Sequence, residues 1–292
     1  MVWTFERVAG PYAFTEGPVW TGTAVLFSDI PTSRILRYDP GTGTCAVYAE
    51  QTNNTNGLAQ DAARRLYACE GGMHSGTGRR IVRYAEHGAH EALAESFEGR
   101  RLNEPNDLIV DSRGRLWFTD PCYGERAKME LTHESVYRLD PRAAGGYSIT
   151  RVTFDTTRPN GLALSPDERT LYVAESPPAP SGHRQLRAYP VSPDGQLGSG
   201  VALHDFGPHR GIDGMRVDVL GSIVATAGWT ESGPGPRIIV FAPTGEIQEE
   251  HPVPANPTNC CFGDSDLGSL YVTDYAGALL RARTDRIGGR PA

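Results

Sequence analysis

Six residues with oxygen-bearing side chains, Glu16, Asn56, Asn106, Asn160, Asp213 and Asn259, recur about 40 to 54 positions apart along the 292-residue chain. Each opens the same pattern. After Asn106 it reads NDLIVDSRGRLWFTD: a polar residue, a short apolar run, a turn with Gly or Asp, and a second apolar run ending on a carboxylate or small residue. If the repeats close into a ring, these six openers converge on one axis. Hard divalent cations such as Ca²⁺, Mg²⁺ or Mn²⁺ take carboxylate and amide oxygens from several directions, so the set suits a metal centre. The competing explanation is that Asn and Asp simply begin turns, which their side chains do well.

The elements that must position these residues follow from the pattern. Each copy is a hairpin, and a third strand recurs after it, as in Arg80 to Tyr84 (RIVRY) and Arg237 to Phe241 (RIIVF). Three clear strands and a weaker fourth, repeated six times at this period, predict an all-β, six-bladed β-propeller with four-stranded antiparallel blades around a central tunnel. The repeat runs from end to end, so residues 1–292 are expected to form a single propeller domain. The N-terminal strand, about residues 2–8, is expected to complete the last blade. Residues 91–98 are the best helical candidate, although they fit an outer strand or a turn equally well. Two loops exceed what the repeat requires, 71–78 and 122–134, and surplus loops often carry function.

Composition narrows the partners. A net charge of -7 and a pI near 5.6 leave no basic face for nucleic acid or an anionic membrane, so neither is expected. The first ten residues carry Glu6 and Arg7 and no apolar leader, which predicts a cytoplasmic protein. The five cysteines form no CxxC pair and are expected to be buried thiols, including the adjacent Cys260 and Cys261. Gly41 to Ala46 fits a dinucleotide-binding spacing on paper, but no βαβ unit surrounds it, so it is a hairpin turn. His204 and His209 precede Asp213 and are expected in a solvated loop. Asp29, Glu70, Asp120, Glu175 and Asp274 end second strands, where capping explains them better than catalysis.

Several motifs together resemble the SMP-30/gluconolactonase/LRE family: TEGPVW from Thr15, RLNEPND from Arg101, WFTDP from Trp117, PNGLA from Pro159 and IDGM from Ile212. The resemblance covers nearly the whole chain. It implies a six-bladed propeller with one catalytic divalent cation (Ca, Mg, Mn or Zn) at the axis, and a lactone as the small-molecule substrate. It places metal ligands at Glu16, Asn160 and Asp213, makes Asn106 a further axial residue that binds substrate or metal, and puts Arg101 and Asn103 in contact with substrate. The stretch from Met73 to Thr77 departs from the compact Gly-rich turn of many members. The resulting expectation is a metal-dependent lactonase in which Asp213 acts as general base. A phosphotriesterase-like hydrolase and a non-enzymatic binding propeller with a structural metal are the alternatives.

Overall fold

The computed structural model describes residues 2–72, 77–85, 89–177 and 182–289. Six four-stranded antiparallel sheets form the blades, and their inner strands are Thr15–Trp20, Thr55–Gln60, Leu108–Val110, Pro159–Leu164, Ile212–Val217 and Pro257–Gly263. Each inner strand touches the inner strands of both neighbouring blades, closing a ring. Sequence order runs outward within five of the blades. In the sixth, Pro257–Gly263, Ser269–Asp274 and Leu279–Arg283 are joined at the outside by Glu6–Ala9, so both ends of the chain share one sheet.

Six hydrophobic clusters fill the structure, one at each interface between blades. Both faces of every blade are therefore covered, which explains why its second strands read as unbroken apolar runs rather than alternating ones. Leu116, Trp117 and Phe118 are all fully buried, Trp117 toward blade four and its two neighbours toward blade two. Removing each such side chain from water contributes about 1.5–3 kcal/mol. Cys260 and Cys261 behave the same way: the first packs between blades five and six, the second between six and one.

Two details refine the sequence reading. Of the alternatives open for residues 91–98, the structure takes strand and turn: His90–Ala94 pairs with Arg80–Tyr84 as the outer strand of blade two, Ser96–Phe97 pairs with Arg100–Arg101, and Glu98 lies in the turn between that pair. Pairing to an existing sheet edge outweighs the weak helical preference of Glu, Ala and Leu. The N-terminal strand begins at Glu6, because Trp3 instead turns inward, stacks on His251 with ring centroids 3.8 Å apart and donates its backbone N–H to His251 Nδ1.

Candidate metal and substrate site at the mouth of the ring

The inner strands are bent where the openers sit. In five blades the pairing of first and second strands slips at the opener, between Glu16 and Val19, Thr55 and Leu58, Pro159 and Leu162, Ile212 and Met215, and Pro257 and Cys260. Such bulges re-aim side chains. Here they release the opener from the sheet toward the axis. The glycine that follows lets adjacent inner strands close up. A Cβ on Gly17, at φ +52, would lie 2.2 Å from the Asn56 carbonyl oxygen, and one on Gly161 would lie 2.3 Å from that of Asp213. The sequence pairs Glu-Gly, Asn-Gly and Asp-Gly are thus a positioning device: one residue points into the tunnel and the next makes room for its neighbour.

Carboxylates at the ends of second strands hold the segments that enter this ring. Asp29 Oδ1 accepts the backbone N–H groups of Ala13 and Phe14, Glu175 Oε1 those of Thr157 and Arg158, and Asp120 Oδ2 that of Asn103. Glu70 does the same through the Asn53 amide. Asp274 Oδ1 instead accepts the Ala278 N–H, closing the turn that follows its own strand. These are capping roles.

Glu16, Asn56, Asn106, Asn160 and Asp213 line one cavity of about 750 Å³ at the end of the ring where the inner strands begin. Its wall also contains Phe14, Tyr123, Trp229 and Tyr275, with Glu104, Arg158, Arg184 and Arg210. At the opposite end, a smaller cavity of about 440 Å³ is lined by the last residues of the inner strands and by Arg216. Between them the axis is bridged. Asn259 Nδ2 reaches Asp107 Oδ2 at 3.3 Å across opposite blades, and Arg216 Nη1 lies 3.8 Å from the same oxygen. Asn259 is therefore drawn into the bridge rather than into the cavity wall.

At the cavity floor Asn160 Nδ2 donates to Asp213 Oδ1 at 2.6 Å, and Arg210 forms an ion pair with Asp213 Oδ2 while its guanidinium rests over the rings of Trp229 and Tyr275. Among the described residues Glu16 has no such cation. Its Oε2 accepts the N–H of Gly17 at 2.6 Å, and the charges acting on it are those of Asp213 and Asp107. Burial raises the Glu16 carboxyl well above the usual carboxylate range, and both neighbouring negative charges push the same way. Asp213 is also raised by burial, against the opposing pull of Arg210 and the Asn160 amide.

This donor set fits a hard cation. Glu16, Asn106, Asn160 and Asp213 are each at most 8% exposed, and two buried carboxylates repel one another here without a full counter-charge. A divalent ion would supply that charge and be met by carboxylate and amide oxygens. Among the described residues no three His, Cys, Asp or Glu side chains form a metal cluster, so any cation held here depends on the asparagines.

The remaining expected residues lie elsewhere. Asn103 is buried beside the site, with Nδ2 donating to the carbonyls of Asp120 and His133, and it does not line the cavity. Arg101 is exposed and donates to the Gly78 carbonyl. Of the two long loops, 122–134 brings Tyr123 into the cavity wall and is tied down by an Arg126–Glu134 ion pair at 2.5 Å. Positions 73–76 of the other loop lie outside the described residues. His204 packs on Phe206 and Phe241, away from the axis. Sequence reasoning missed the three arginines of the wall. Two of them carried a local signal, since Arg158 and Arg210 stand two and three residues before Asn160 and Asp213.

A six-bladed propeller whose axial cavity is lined by carboxylates and amides defines the class of protein. Residues 14–276 match the SMP-30/Gluconolactonase/LRE-like region, and the chain belongs to that family. It is 29% identical to a gluconolactonase of Zymomonas mobilis over 97% of this chain and 82% of the relative. A 6-deoxy-6-sulfogluconolactonase of Pseudomonas putida is 28% identical over 91% of this chain and 84% of its own length. Among solved structures, a gluconolactonase from Xanthomonas campestris superposes with a TM-score of 0.83 at 33% identity, covering 96% of this chain and 89% of that one.

Proposed function

We propose that this chain is a divalent-metal-dependent lactonase that opens a sugar-type lactone in the cavity at the mouth of the ring. The observation that carries the reading is the buried, mutually repelling pair Glu16 and Asp213, set beside Asn160 and Asn106 on the wall of a cavity large enough for a small ring. Relatives named as gluconolactonases over nearly the whole chain support it.

Glu16, Asn160 and Asp213 would hold the cation. When bound, such an ion polarises an ester carbonyl and lowers the pKa of water. The chain's own residues do the rest. Asp213 accepts the attacking water's proton, because each of its oxygens keeps a lone pair beyond the bonds to Asn160 and Arg210. Arg210, anchored to the carbonyls of Gly228 and Pro257, holds that carboxylate in one orientation. Asn106 orients substrate hydroxyls from the wall. Asn103 positions the segment that carries Glu104 and Asn106, and Arg101 acts at the rim beside Gly78. Tyr123, Trp229 and Tyr275 give the sugar ring apolar faces and exclude bulk water.

The test is hydrolysis of a lactone panel, followed with a pH indicator, with paraoxon as the phosphotriester control. Lactone opening that stops in chelator and returns with a divalent ion supports the reading. Paraoxon turnover without lactone turnover would replace it with the phosphotriesterase alternative, and no turnover of either would leave a binding propeller.

A further inference from the structure

Three arginines share the cavity wall with three carboxylates, but only one of them is closely paired. Arg158, Arg184 and Arg210 face Glu16, Glu104 and Asp213 across one cavity in a chain whose net charge is -7. Only Arg210 is matched closely, by Asp213. Arg184 makes its hydrogen bonds to two neutral acceptors, the carbonyls of Pro208 and His209. Burial and the nearby positive charges of Arg158 and Arg210 all depress its pKa. Arg158 lies 4.0 Å from Glu134, a carboxylate already engaged by Arg126 and by the N–H of Cys122, and its buried Nε has no hydrogen-bond partner among the described residues. Its guanidinium is instead spread over the Tyr123 ring, 5.1 Å from the centroid. Among the described residues Glu104 forms no ion pair with either arginine, its carboxylate being held by the backbone N–H groups of Tyr123 and Gly124. With three carboxylates against three guanidiniums, a divalent ion at Glu16 and Asp213 leaves the cavity two charges positive.

Unmatched guanidiniums partly withdrawn from water carry some desolvation penalty, and a ligand that brings its own negative charge offsets it. Phosphate, sulfonate and carboxylate groups all match the planar fork of arginine with paired, charge-assisted hydrogen bonds. We propose that the preferred substrate is an anionic lactone: a sugar-acid lactone with a second, negatively charged substituent, received by Arg158 and Arg184 while the lactone ring lies over Asp213. This rests on the lactonase reading and specifies its substrate class.

The experiment compares kcat/KM for δ-gluconolactone with that for its 6-phosphate, its 6-sulfonate analogue and the corresponding 6-carboxylate lactone. The same comparison is made for Arg158→Gln, Arg184→Gln and the double variant. A charge-assisted pair is worth about 1.5–3 kcal/mol, so the best anionic lactone should exceed the neutral one by about 10- to 100-fold. Which of the three anions leads identifies the group. In the double variant the ratio of anionic to neutral rates should fall to near one, whereas damage to the fold would lower both rates and leave the ratio unchanged. A wild-type ratio near one, with neutral lactones hydrolysed, overturns this proposal and leaves the lactonase reading intact. If no lactone is hydrolysed, calorimetry with gluconate and 6-phosphogluconate decides. Tighter, salt-sensitive binding of the phosphorylated acid that is lost in the double variant supports the anion site without the lactonase, and equal affinities overturn both.

Discussion

Glu16→Gln separates a metal ligand from a turn former more sharply than loss of activity can. Glu16 is buried, accepts the Gly17 N–H, and lies in the field of Asp213 and Asp107. A carboxyl whose pKa is raised on folding stabilises the native state fully only below its unfolded pKa, and that contribution is lost as pH rises through the folded value. At neutral pH, then, Glu16 weakens the metal-free fold. Glutamine keeps the shape and one oxygen acceptor but carries no charge, so the substitution should stabilise the metal-free protein by about 1–3 kcal/mol. Asp213→Asn should do the opposite in the same buffer, because it strips Arg210 of its partner. Added metal reverses the order. Binding to the native state alone, at a hundredfold excess over Kd, contributes about 2.7 kcal/mol. In a chain of this size that raises Tm by roughly 4–5 °C. Thermal unfolding of wild type and variant, in chelator and in millimolar Ca²⁺ or Mn²⁺, reads both effects. Wild type should gain several degrees on adding metal and Glu16→Gln none. A lower Tm for the variant in chelator, together with an undiminished metal-induced shift, would refute the assignment of Glu16 and the electrostatic argument behind it.

Asp213→Asn should turn over lactone at most about a hundredth as fast as wild type while retaining measurable cation, since loss of a general base typically removes 10²–10⁴ in rate. Asn56→Ala and Asn259→Ala should instead keep the metal and lose roughly 0.5–2 kcal/mol of stability, and equal effects at every opener would restore the turn explanation. Gly161→Ala should destabilise by about 1–3 kcal/mol and lower metal affinity as well, because the new Cβ meets the Asp213 backbone at 2.3 Å; an unchanged unfolding midpoint would contradict the close-packed inner ring. Burial pushes the Asp120 carboxyl up to about 8, so its contribution to stability should fade as pH rises from about 4 toward 8. Asp120→Asn should accordingly raise Tm relative to wild type more at pH 8 than at pH 5, and a constant difference across that range would show that Asp120 is charged throughout.

The blades were legible in the sequence because a propeller writes its architecture locally. Each hairpin has its own turn, and strands buried on both faces show as apolar runs such as LWF at 116–118. The openers were legible for the same reason, since the Gly after Glu16, Asn56, Asn160 and Asp213 marks a bulge. Residues 91–98 were ambiguous because a peripheral strand has weak patterning and owes its state to its neighbour. The arginines were barely legible: Arg158 and Arg210 are marked only by standing just before Asn160 and Asp213, Arg184 by nothing local, and only the closed ring brings the three to one cavity. Neither was the division of labour among the asparagines, because it is set by what each one faces: Asn259 faces Asp107 across the axis, and Asn160 faces Asp213 beside it.

The initial rate of δ-gluconolactone opening, measured on one preparation as purified, after EDTA and gel filtration, and after reloading with Ca²⁺, Mg²⁺, Mn²⁺ or Zn²⁺, tests the central claim most directly when metal per chain is determined on the same samples. The account predicts that activity tracks a single bound cation, disappears with it and returns with it. Undiminished hydrolysis by protein shown to be metal-free would contradict it.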